Sequence, residues 1–349
     1  MLSSKKTLAV GKRSKIGGIT DTNLLLTITI VVFFVMYIGA MIFQGQGFLK
    51  AQTFLNILNS DAALIIASCG MSVVMITGGI DISVGGVAAL VSMCCAVYLD
   101  YHGGNIFVAI LIALGIGLAF GLVQGFLVAY LDIQPFIVSL AGMFFARGMT
   151  TIVHTDPFNV QNKTFVNLKD THIVIPGLGS VNRVGNYVDA YVEIGAIVAL
   201  LVVALLFCLL RWSKTGRGFY AVGGNHQSAL MLGINVKRTK FVAHMICSLL
   251  AGLGGFIYFL HIGSGSPLHA TGMEMNAIAS SIIGGTMLTG GVGNIIGTLF
   301  GVLSLSTIQN IVTTAGLGEA WWTGITIASM LCLFLIIQSI VMLVRKKKA

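Results

Sequence analysis

Charge is what this sequence lacks. Only 9% of its 349 residues are Asp, Glu, Lys or Arg, against roughly a quarter in a soluble domain. Hydrophobic residues make up 56% and the mean hydropathy is +0.96. That balance excludes an ordinary soluble fold and leaves one helical membrane bundle as the natural unit. The sequence holds no G-x-x-x-x-G-K-[ST], so a P-loop cradle for nucleotide phosphates is excluded. It also holds no H-E-x-x-H, no paired carboxylates and no Ser/His/Asp grouping, so a catalytic role has little to stand on, and neither a metal nor a cofactor is expected. The six cysteines, Cys69, Cys94, Cys95, Cys208, Cys247 and Cys332, sit in apolar runs without metal-ligand spacing and read as small buried hydrophobes.

What is there is a series of apolar runs. A bilayer core of roughly 30 Å needs about 20 apolar residues per helix. Ten runs qualify, at 24–43, 62–79, 84–100, 106–130, 136–153, 190–211, 241–262, 276–290, 294–315 and 321–344, those near 80 and 280 being short and interrupted by glycine. The expected fold is all-α and polytopic, with about ten transmembrane helices and both termini cytosolic. The first run has a basic flank like a signal peptide, but it is longer than an h-region and lacks an A-x-A site, so it reads as an uncleaved span.

Charge placement sets the orientation. Of 20 Lys and Arg, five lie in the first fifteen residues, six between Arg211 and Lys240, and four in Arg345–Lys348. Clusters beside apolar spans follow the positive-inside bias and carry none of the polar or aromatic readers that nucleic acid would need. Residues 1–23 are then a basic cytosolic terminus, 24–344 one transmembrane domain, and 345–349 a basic cytosolic tail. Two connections exceed turn length: 154–190 outside, containing the turn-like "PGLGS", and 212–240 in the cytosol. Pro135 suits a first helical position, where its missing N–H costs nothing.

The cytosolic connection predicts a short helix. Asn225 is a good N-cap, His226–Leu232 makes about two turns, and Gly233 suits a left-handed stop. Its "ALML" fits a docking helix held by a partner surface, and a solvated topology loop is an equally open reading. Gly117, Gly121 and Gly125 recur every fourth residue, as do Gly293, Gly297 and Gly301, which lines a helix face for close packing. "GGIDIS" at 78–83 echoes "GGTMLT" at 284–289, either as an internal repeat or as independent use of glycine.

"TGGIDISVGG", "IQPFIVSLAGMFFARGM", "TGRGFYAVGGNHQSALMLGINV", "GGVGNIIGTLFGV" and "WWTGITIASMLCLFLIIQ" together resemble the permease subunits of bacterial ABC importers for ribose, galactose and related sugars. The likeness is greatest to a galactofuranose-type permease and covers roughly residues 50–340 in order. The resemblance implies an inner-membrane transport subunit that pairs with a second permease copy or paralogue, receives sugar from a periplasmic binding protein, and is driven by ATPase subunits that bind the ATP. It implies that Gly216, Arg217, Tyr220, Gly223, Gly224, Asn225, Leu232 and Gly233 engage the ATPase. Where many relatives read Glu-Leu-Asp-Ala-Ile-Ala, this chain has Glu274, Met275, Asn276, Ala277, Ile278 and Ala279. An amide replaces one acid, so a relative's sugar preference does not carry over.

Within that reading the polar candidates for a pathway or gate are Ser83, Gln124, Glu274 and Asn276, each also explicable as a packing or helix-end group. Gly78, Gly79, Asp81, Gly85 and Gly86 form an expected hinge and cap: the glycines permit a sharp turn and close approach, and the Asp81 carboxylate accepts N–H groups near Val84 and Gly85 close to the cytosolic boundary. The alternative is a one-component ion-coupled secondary transporter, which wants ionisable groups inside the spans. Asp81, Asp132, Arg147 and Asp61 are the residues near enough to serve.

Overall fold

The computed structural model describes residues 17–44, 46–181, 187–317 and 319–346. The basic residues 1–16, and 347–349 of the tail, lie outside the described residues. In chain order the elements are α1 (Gly17–Gln44), α2 (Gln46–Leu49), α3 (Ala51–Ser60), α4 (Ala62–Ile76), α5 (Val84–Tyr101), α6 (Ile106–Ala129), α7 (Pro135–Val153), β1 (Phe158–Asn159), α8 (Lys163–Lys169), β2 (His172–Val181) and β3 (Tyr187–Glu193), followed by α9 (Ile194–Trp212), α10 (Lys214–Gly224), α11 (His226–Met231), α12 (Val236–Ile262), β4 (Ser264–Gly265), α13 (Met273–Ile283), α14 (Ile295–Thr314) and α15 (Ala320–Lys346).

Seven of these helices are long and apolar enough to cross a membrane, and an eighth crossing arises if α3 and α4, bent by 57° at Asp61, form one span. Local signals set the helix starts. Pro135 opens α7, while Asn105 caps α6 by accepting from the Phe107 N–H at 2.9 Å and Asn294 caps α14 through Ile296.

Three expectations need correction. The run 276–290 is not a full span: α13 has 11 residues, about 16 Å at 1.5 Å per residue, and residues 284–294 form a glycine-rich turn. The fold is not purely helical, because β2 and β3 make an antiparallel hairpin, and β1 pairs with β4 to join the connection after α7 to the one after α12. "PGLGS" is no free turn either. It lies inside β2 as an irregularity between Ile175 and Ser180, where proline cannot donate to the ladder and Gly177 has φ +89°.

α12 runs through the centre of the bundle against α4, α5 and α6. Glycine makes this possible. A Cβ on Gly117 would stand 2.6 Å from the Ser248 carbonyl oxygen, one on Gly121 3.0 Å from Met245 Cα, and one on Gly252 2.5 Å from the Ala113 carbonyl oxygen. α6 and α12 therefore touch backbone to backbone. On α14, Gly297 faces Gly284 and Gly301 faces the Ser280 carbonyl at the end of α13, while Gly293 lies before the helix start, so it is not part of a helical stripe, and packs on Ile76 and Thr286. The outer faces carry exposed apolar side chains such as Phe107, Leu111 and Leu122 of α6 and Phe144 and Phe145 of α7, as surfaces facing lipid or another apolar surface do.

Hydroxyls stitch the thinnest part of the bundle. Ser68 pairs with Ser280 at 2.9 Å, and Ser72 pairs with Ser281 at 3.0 Å and with Thr298 at 2.6 Å, tying α4 to α13 and α14. Thr29 of α1 donates to the Ile283 carbonyl at 2.7 Å, satisfying one acceptor that the short α13 would leave open. At the opposite end the hairpin is pinned to α3: Gln52 accepts from the Tyr191 N–H at 2.8 Å and Asn59 accepts from the Glu193 N–H at 2.9 Å.

Candidate functional site

Two features meet at the end of the bundle that bears α10 and α11. The first is the connection itself. Ser213 caps α10 by accepting from the Gly216 N–H at 2.9 Å, Gly216 lies against the backbone of α9 at Leu210, and Arg217 donates to the Trp212 carbonyl at 3.2 Å. Asn225 accepts from the Ser228 N–H at 2.9 Å to start α11, which ends at Met231, one residue before the expected Leu232. Gly233, at φ +77°, supplies the left-handed stop. Leu230, Met231 and Leu232 are 50%, 87% and 77% exposed. Three adjacent apolar side chains in the open are an unsatisfied surface, since a two-turn helix gains little by itself.

The inner side of this connection is fixed to the bundle. Tyr220 donates its hydroxyl to the Gly293 carbonyl at 2.9 Å, and burial pushes that phenol up to about 12, so it stays a neutral donor. Gly223 faces the Ile76 carbonyl at the end of α4, and Gly224 meets Gly291. The Gly291 N–H donates to the same Ile76 oxygen at 2.8 Å. Gly78, at φ +86°, sits against Gly290. Three glycine pairs from distant parts of the sequence thus form one backbone junction linking α10, the end of α4 and the α13–α14 turn. Gly78 and Gly285 end α4 and α13 alike, with φ of +86° and +87°.

The second feature is a buried polar cluster at the start of α5. Asp81 is fully buried, and its Oδ1 accepts from the Ser83 N–H at 3.0 Å and the Ser83 hydroxyl at 2.6 Å. This corrects the expected cap. The acceptor serves Ser83, not Val84 or Gly85, because Ser83 is already helical (φ −70°, ψ −13°) and the Asp81 side chain reaches only two residues ahead. Gln124 of α6 donates to the Ser83 hydroxyl at 2.9 Å. The glycines around the cluster make room: Gly79 abuts Pro135, Gly86 abuts Met143 of α7, and Gly85 receives the Glu274 carboxylate.

The four pathway candidates therefore divide. Ser83 and Gln124, 1% and 3% exposed, join Asp81 in one buried hydrogen-bonded network, in which Asp81 Oδ2 has no partner among the described residues. Glu274 and Asn276 occupy the first turn of α13, half-buried, with Glu274 Oε2 making no hydrogen bond among the described residues. Other polar residues lie around them. Arg147 of α7 donates to the carbonyls of His269 at 2.6 Å and Ala270 at 2.9 Å, and His269 Nδ1 meets the Ser92 hydroxyl at 3.1 Å. Arg147 clamps the segment between α12 and α13, where Ala270 is held at φ +52°. A cation inside an apolar run singles Arg147 out in the sequence as an ion-coupling candidate, and the structure places its guanidinium on backbone carbonyls instead.

Residues 53–337 match the family described as branched-chain amino acid transport system / permease component. The chain belongs to this permease family. The permease is 36% identical over 90% of its length to the inner membrane ABC transporter permease protein YjfF of Escherichia coli, covering 92% of that protein. It is 34% identical to the fructose import permease protein FruG of Bifidobacterium longum, covering 95% of this chain and 96% of that one. It is 33% identical to the ribose import permease protein RbsC of Escherichia coli, covering 79% and 82%. No solved structure matches significantly. A permease of this family is a multi-pass membrane transport component, and not an enzyme.

Proposed function

We propose that this permease forms the membrane pathway of an ATP-driven, binding-protein-dependent importer of a monosaccharide, with galactofuranose or a ribose-like sugar as candidate cargo. Relatives that import fructose and ribose support the sugar class. The observation that carries the mechanism is the glycine junction: α11 offers exposed Leu230, Met231 and Leu232 outward while Gly223 rests on α4 and Gly291 inward. A push on α11 is therefore transmitted to α4, α5 and the α13–α14 turn through contacts that have no side chains to absorb it.

In this reading α13 and α15 join the eight crossings to give ten membrane segments in domain 24–344, both termini and 212–240 are cytosolic, and 154–190 is extracytoplasmic. An ATPase subunit binds α11, a second permease copy or paralogue completes the pathway, and a sugar-binding protein docks outside. Glu274 and Asn276 contact passing sugar weakly, as release requires. Ser83, Gln124 and Asp81 hold the start of α5 as a hinge.

The test is uptake by proteoliposomes carrying the permease with its ATPase and binding protein. Sugar accumulation that requires ATP and both partners is expected. Accumulation without the ATPase, driven by an ion gradient, would overturn the reading.

A further inference from the structure

Beneath α10 and α11 lies a cavity of about 490 Å³, within the range of about 300–1,000 Å³ usual for small-molecule sites. Its walls include Pro135, Gly223, His226, Gln227, Lys240 and His244, and no carboxylate is among the lining residues. Lys240 makes no ion pair among the described residues. His244 is 2% exposed, and its Nδ1 has no hydrogen-bond partner among the described residues. Such an orphaned buried group is costly unless something completes it. α7 opens on the cavity at Pro135, its N-terminal residue, and so adds the positive end of a helix dipole. Asp81 lies close enough to interact with His244, its Oδ2 likewise has no hydrogen-bond partner among the described residues, and it is not part of the lining.

The polar side chains here include the Lys240 ammonium, the Gln227 amide and two imidazoles, which offer N–H donors beside the amide oxygen and imidazole acceptors, and the lining has one fixed cation and no carboxylate to oppose a negative charge. A phosphomonoester presents a negative charge and several strong acceptors to that ammonium and to the positive end of α7, which a neutral sugar does not. We infer that this cavity binds a small phosphomonoester, held by Lys240, Gln227 and His244. A ligand there bridges α11 to α7 and α12, and so holds the segment that the proposed coupling requires to move. The site stands on its own geometry and does not depend on the identity of the imported sugar.

The experiment is calorimetric titration of the purified full-length permease in lipid nanodiscs with glucose 6-phosphate, inorganic phosphate and glucose, repeated on Lys240→Gln and Gln227→Ala. Thermal unfolding establishes that each variant is folded. Saturable binding of glucose 6-phosphate is expected, weakened at least about tenfold by Lys240→Gln, as loss of a charge-assisted hydrogen bond implies. Binding should weaken further as salt rises. Comparable binding of inorganic phosphate supports the site and assigns it to the phosphoryl group alone. The inference is overturned if glucose binds as well as its phosphate, if Lys240→Gln changes nothing, or if neither anion binds.

Discussion

Replacing Gly223 with alanine tests the glycine junction at its tightest point. The new methyl group falls onto the Ile76 carbonyl oxygen and lies 2.6 Å from the Gly291 nitrogen. It therefore enters the 2.8 Å hydrogen bond between those two groups. Forcing a methyl into packed backbone costs about 1–3 kcal/mol, and separating a buried donor and acceptor adds about 1–3 kcal/mol. Alanine's helix preference over glycine returns at most about 1 kcal/mol. The net loss is about 1–5 kcal/mol. The neighbouring Gly224 is the control, because a Cβ there has nothing within 4 Å. Thermal unfolding in detergent should show Gly223→Ala melting well below the parent, and Gly224→Ala at or slightly above it. Hydrogen exchange should quicken around Met287–Gly291 in the first variant alone. Equal melting temperatures for the two variants would refute the reasoning.

The other predictions follow from single contacts. Gly252→Ala drives a methyl to 2.5 Å from the Ala113 carbonyl oxygen and should lower thermal stability by about 1–3 kcal/mol, while Gly115→Ala, with open space around it, should not. Asn225→Ala removes the cap on Ser228 and should cost α11 about 1 kcal/mol, seen as faster hydrogen exchange at His226–Met231 with little change in the global melt. Ser83→Ala and Gln124→Ala should each destabilise by about 1–3 kcal/mol, and the double variant by less than their sum, because the bond between the two is lost in either single variant and Ser83→Ala already leaves the Gln124 amide without it. Arg147→Lys keeps the charge but loses the planar spread that reaches both His269 and Ala270, so the segment 266–272 should exchange faster.

Legibility in the sequence tracks how local the physics is. Asn225, Gly233 and Pro135 act within one turn of chain, and each stands in the structure in the local conformation its residue type implies. The stripes at Gly117 and Gly121 were visible as spacing, but the identity of the facing helix was not, since periodicity marks a face without naming what covers it. Asp81 was placed at the right turn and its acceptor role anticipated. Its burial was not, because that depends on α6 and α12 closing over it from more than forty residues away.

The sequence by itself determined that this is a helical membrane protein, where most helices begin and end, and, through several motifs in order, which family it belongs to. Hydropathy, capping and left-handed glycines are properties of a few adjacent residues, so no partner is needed to read them. Tertiary structure alone decided that α13 stops after 11 residues, that Arg147 clamps the segment before it, and that Gly78, Gly223 and Gly291 meet at one point. Those outcomes depend on backbones brought together across the whole chain, where the absence of a side chain matters only once a neighbour has arrived to fill the space.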